Sequence, residues 1–163
     1  MLDVYSTIAE VGVSLAGFSG LFLAFSRREA TSFSDTERFA VLYLLCSSLS
    51  ATLLALLPGV LAPVNEPMIR ALNVLAGFII GGLAGWLRYA RARHDIKPRY
   101  PWVPRLLGPV AWSAAALQLA AAFGFCPPAT SLAVGLWWLI VAAAAQFVIQ
   151  VVATFQGQGD RAA

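Results

Sequence analysis

The chain has 163 residues, of which 60% are hydrophobic and only 12% charged, with a net charge of +3 at pH 7. An average soluble protein is roughly 25% charged, and so little charge cannot clothe the outer side of every helix, which excludes a water-soluble globule of ordinary surface chemistry. Two cysteines, Cys46 and Cys126, exclude a disulfide framework and a four-ligand zinc site and read as packing residues.

Five apolar runs are each long enough to cross ~30 Å of hydrocarbon at ~1.5 Å per helical residue. Run A covers 4–25. It lacks the basic region and small-residue cleavage site of a removable leader, so it is expected to stay in the mature chain. Glu10 is the only acidic residue inside any of the runs, and Ser6, Glu10, Ser14 and Gly17 share one helical face. An ionisable group within a span is a functional candidate because burying its charge is unfavourable. The competing reading lets Glu10 reach headgroup water at the outer boundary. Gly12, Ala16, Gly20 and Ala24 recur every four residues along the same run.

Ser34-Asp35-Thr36-Glu37 has the form of a capping box and predicts a helix start ahead of run B, 39–62. Run B carries Ser47, Ser48, Ser50 and Thr52, and Pro58-Gly59 is expected to bend it near its end. Asn65-Glu66-Pro67 offers a cap for run C, 69–89, in which Asn73, Gly77, Gly81 and Gly85 form a stripe of close approach. Prolines 101 and 104 precede run D, 106–125, which holds Pro109 as an expected bend and Gln118. Pro127-Pro128 with Thr130 and Ser131 precedes run E, 132–153, which holds Gln146 and Gln150. None of the runs alternates apolar and polar residues, which argues against a membrane β-barrel.

The small-residue positions Gly12, Ala16, Gly20, Gly77, Gly81 and Gly85 have two readings: a subunit interface in a homo-oligomer, or packing of A on C within one protomer. Glu10, Asn73, Ser50, Thr52, Gln118, Gln146 and Gln150 are likewise read two ways. They line a narrow polar path, in one protomer or around an oligomer axis, or they bond back to their own and neighbouring helices. Along the runs, Glu10 and Asn73 fall in the outer half, Ser50, Thr52 and Gln118 near the middle, and the two glutamines of run E toward the cytoplasm.

Basic residues are retained on the cytoplasmic side of membrane helices. With five crossings, Arg27, Arg28, Arg38, Arg88, Arg91, Arg93, Lys97, Arg99, Arg105 and Arg161 share one side, and Arg70 alone stands on the other. The N-terminus is therefore expected outside and the C-terminus in the cytoplasm. A first run lying on the inner surface would leave the same split, but Glu10 alone does not make the charged face such a helix needs. Trp86, Tyr89, Tyr100 and Trp102 are expected at the inner interface and Trp137 and Trp138 at the outer. The loop from Arg88 to Arg105, with Arg91, Arg93, Lys97 and Arg99, suits anionic lipid headgroups. The competing reading is that these charges only set topology.

Catalysis has little support. The sole histidine, His94, adjoins Asp95 in the basic loop, with no second histidine and no nucleophile positioned beside it. There is no phosphate-binding glycine loop and no dinucleotide fingerprint, no haem ligand within a run, and no reason to expect a cofactor or nucleic acid. The fold expected over 1–163 is an all-α polytopic bundle of five transmembrane helices in one integral membrane domain, the alternative being four plus a re-entrant or interfacial first helix. Two functions remain open: a non-catalytic structural or accessory subunit of a cell-membrane assembly, self-associating or docked on other membrane subunits, and a small oligomeric channel or carrier.

Overall fold

The computed structural model describes residues 2–29, 35–61, 65–93 and 102–162, with side chains described for 4–21, 38–61, 65–93 and 103–152. Five helices follow in order: α1 Leu2–Glu29, α2 Asp35–Val60, α3 Glu66–Arg93, α4 Trp102–Ala122 and α5 Pro128–Ala162. No strand occurs among the described residues, and the fold is all-α.

Local chemistry sets the helix limits. Asn65 caps α3, its Oδ1 accepting the Met68 N–H at 3.0 Å and so satisfying one of the unpaired first-turn donors. Glu66 in that turn accepts from Arg70 at 2.7 Å. α5 opens on Pro128, whose missing N–H forfeits no helical bond, and the Pro127 carbonyl accepts the Ser131 N–H. α4 stops at Ala122, three residues short of the end of run D, because Gly124 turns left-handed at φ 87°. There the Phe125 N–H donates to the Ala120 carbonyl at 3.0 Å and the Gly124 N–H to that of Ala121 at 3.1 Å. α2 begins at Asp35, where a capping Ser34 would place it. Ser34 itself and the side chains of 35–37 lie outside the described residues.

Among the described residues, four helices are long and apolar enough to cross a membrane, over Val4–Leu21, Arg38–Val60, Glu66–Arg93 and Pro128–Val152. The protein is therefore a multi-pass membrane protein. Run A is among the four, whereas α4 is not. At 21 residues it is the shortest of the five.

Sequential neighbours run antiparallel. Gly12 of α1 faces Ser48 and Thr52 of α2, and Phe39 near the start of α2 packs on Trp86 near the end of α3, ring centroids 5.6 Å apart. Gly77 of α3 meets Ala115, Gln118 and Leu119 of α4, and one turn later Gly81 meets Ala115 and Trp112. The starts of α1 and α3 and the end of α4 thus gather with the start of α5 at one end of the bundle, here the Asn65 end. The opposite, Arg93 end carries Arg88, Arg91, Arg93 and Arg105.

α5 is the centre of the bundle, touching all four other helices. Its Leu132, Leu136, Leu139, Ile140 and Ala143 are buried, leaving a narrow exposed strip of Val134, Trp137, Val141 and Val148. Leu54, Leu72, Ile80, Ala111 and Ile8 complete the core from the surrounding helices. Trp137 stands nine residues beyond Pro128, roughly 14 Å along the helix. α1 and α3 do not touch among the described residues. The described small residues of runs A and C therefore do not pack on one another.

Candidate functional site

Polar side chains of three helices converge on one place in this interior, the first turn of α5. Three side chains from three other helices donate to its backbone carbonyls. Asn73 Nδ2 of α3 reaches the Pro128 oxygen at 2.9 Å, the Tyr5 hydroxyl of α1 reaches Ala129 at 3.2 Å, and Gln118 Nε2 of α4 reaches Ser131 at 2.6 Å. A carbonyl oxygen has two lone pairs, so a helical carbonyl can accept a side chain in addition to its own N–H. Asn73 Nδ2 also donates to Ile69 of its own helix at 2.8 Å.

The backbone is shaped to admit this collar. Gly135 lies one turn beyond Ser131, and a Cβ there would collide with the Gln118 carboxamide. Gly77 lies one turn beyond Asn73, and a Cβ on it would stand 3.3 Å from the Ala115 oxygen and from Gln118 Cβ. These two glycines let α3 and α5 close on α4 with Gln118 between them. Ser131 is itself buried.

Each carboxamide satisfies only its donor end. Asn73 and Gln118 are both 0% exposed, yet Asn73 Oδ1 and Gln118 Oε1 have no hydrogen-bond partner. Their orientation is set by the carbonyls around the nitrogens, because turning either amide over would bring oxygen against oxygen. A buried acceptor left without a donor is unfavourable by about 1–3 kcal/mol.

The other sequence-derived candidates are dispersed. Thr52 is buried and donates to the Ser48 carbonyl of its own helix at 3.0 Å, and Ser47 likewise donates to Tyr43 at 2.7 Å. Ser50 is half-buried on α2, and Gln146 and Gln150 are half-buried near the far end of α5. Glu10 points outward from α1. It is exposed together with Ser6, Ser14 and Gly17 of the same face, and the Ser14 hydroxyl donates to the Glu10 carbonyl at 2.8 Å. Gln118 lies only four residues from the end of α4, beside the start of α5 and away from the mid-depth that an even spacing along run D implies.

Small-residue positions divide by what they meet. Gly12 is buried against Ser48 and Thr52, and Gly77 and Gly81 face α4, while Gly17, Gly20 and Gly85 meet nothing within 4 Å. Ala16 is half-buried. At the Arg93 end, Arg88, Arg93 and Arg105 are exposed and Arg91 is half-buried. Arg93 donates to the Tyr89 hydroxyl at 2.6 Å with its guanidinium 5.9 Å from that ring. Lys97, Arg99, His94, Tyr100 and the Trp102 side chain lie outside the described residues. At the opposite end Arg70 packs over Gly124 at the carbonyl end of α4, where its charge complements the helix dipole.

Comparison with known proteins returned no match: no family model, no curated protein and no solved structure. Tyr5 is the collar residue that sequence reasoning missed. Its partner lies 124 residues away, and a tyrosine near the start of a span otherwise reads as an interface anchor.

Proposed function

We propose that this protein is a non-catalytic structural subunit of a membrane assembly, associating with copies of itself through the outward face of α1. The carrying observation is that Ser6, Glu10, Ser14 and Gly17 lie together on the exposed side of that helix. In lipid a carboxyl-bearing face is unfavourable, and a polar strip flanked by glycine is the kind of surface a second helix covers. The buried amides of Asn73 and Gln118, by contrast, hold the protomer together.

In this reading all five helices cross, α4 lying antiparallel along α3 as its partner through the same thickness, with the N-terminus outside. The exposed Arg88, Arg93 and Arg105, with Arg91 and the basic loop, then rest on anionic headgroups of the inner leaflet. A second reading draws on the same α1 face. If that face turns toward a symmetry axis, Glu10 and Ser14 line a path between protomers, and the assembly is a small channel or carrier.

Purification in mild detergent separates the two. Other membrane proteins recovered in fixed stoichiometry with the chain, or a self-associated complex silent in planar bilayers, support the structural role. A symmetric ring that conducts ions in planar bilayers overturns it in favour of the channel, and a protein that runs as a monomer at every detergent concentration overturns both.

A further inference from the structure

We infer that ordered water occupies the seam between α3, α4 and the start of α5, donating hydrogen bonds to Asn73 Oδ1 and Gln118 Oε1. Both acceptors belong to fully buried side chains and both lack a partner. The two side chains belong to one seam, because Gly77 packs on Gln118 one turn from Asn73 and the two amide nitrogens bond carbonyls three residues apart on α5. Buried acceptors without a protein donor are the usual seats of internal water.

Several nearby groups of the chain offer no donor to these oxygens. Pro128 has no N–H, the Ser131 N–H is bonded to Pro127, the Asn73 Nδ2 group bonds two carbonyls, and the Tyr5 hydroxyl bonds Ala129. A neutral donor fits better than a cation. The described acceptors are uncharged amide oxygens, and the nearest acidic residue in sequence, Glu66, is exposed and paired with Arg70. An ion there would keep an uncompensated charge in a low-dielectric interior. Water also has a short way in: Pro128 is the first residue of α5, and Asn73 is seven residues from the start of α3, about 10 Å along the helix.

Water-edited solid-state NMR on labelled protein in liposomes tests this. Magnetisation should pass from water to the side-chain carboxamides of Asn73 and Gln118 several times faster than to Leu72 and Leu132, buried neighbours at the same depth. Gln118→Met, which keeps the length and removes the amide, should slow transfer to Asn73 while leaving that to Leu72 unchanged. Build-up at the two amides no faster than at the two leucines overturns the proposal. So does a shift of both carboxamide carbons when sodium is exchanged for potassium or for a bulky organic cation, which would assign the seam to an ion.

Discussion

Gly77, Gly81 and Gly85 are spaced alike on α3 but are not alike in what they do. A Cβ on Gly77 would lie 3.3 Å from three atoms of α4, one on Gly81 3.7 Å from Ala115 and Trp112, and one on Gly85 within 4 Å of nothing. Replacing each by leucine should therefore give a graded loss of stability in denaturant titrations, largest for Gly77, with overpacking worth about 1–3 kcal/mol, and near zero for Gly85. Equal losses at the three positions would show that helix propensity, not contact with α4, governs them. Gln118→Leu belongs to a smaller scale, since interhelical hydrogen bonds in membrane proteins average ~0.6 kcal/mol and reach ~1.7. Gly77→Leu should accordingly be the more damaging of the two.

Among the helices, the every-four pattern itself explains why the sequence stripes do not stay on one interface. At 3.6 residues per turn a four-residue step advances by about 40° beyond a full turn, so a stripe winds off its neighbour after two or three steps. That is why Gly12 is clamped against Ser48 and Thr52 whereas Gly20 faces outward. The spacing of small residues was legible in the sequence, but not which neighbour each would meet. α4 raises a separate question, because it is not among the helices long and apolar enough to cross a membrane yet runs antiparallel to α3. If it crosses, the two chain ends lie on opposite sides of the membrane. Reporter tags at each end of the intact chain should then sit in different compartments, the N-terminal one outside. Finding both tags on one side would remove α4 from the set of crossings.

For the whole molecule, α5 is the post to which the other helices are fastened, by apolar packing along its length and by the Tyr5, Asn73 and Gln118 bonds at its first turn. The outer face of α1 takes no part in this. Gly20→Leu adds bulk where nothing stands within 4 Å, so the protomer should unfold at an unchanged temperature. Its self-association, read by light scattering in detergent or by single-molecule counting in nanodiscs, should fall by about tenfold if the loss is ~1.4 kcal/mol. Undiminished association together with unchanged stability would move the contact to another face of the bundle.

Composition alone determined that these segments belong in lipid, since charge is too scarce to face water, and the caps at Asn65 and Pro128 and the apolar runs were enough to mark five helices. Asn73 and Gln118 stood out as polar residues among apolar ones. What they do was decided by tertiary structure, because their acceptors on α5 lie 55 and 13 residues away and a one-dimensional pattern carries no record of which helices are adjacent. The same holds for Glu10. Its place on one face of α1 follows from helical periodicity, but only the packing of α2 and α5 on the other side of that helix turned the face outward.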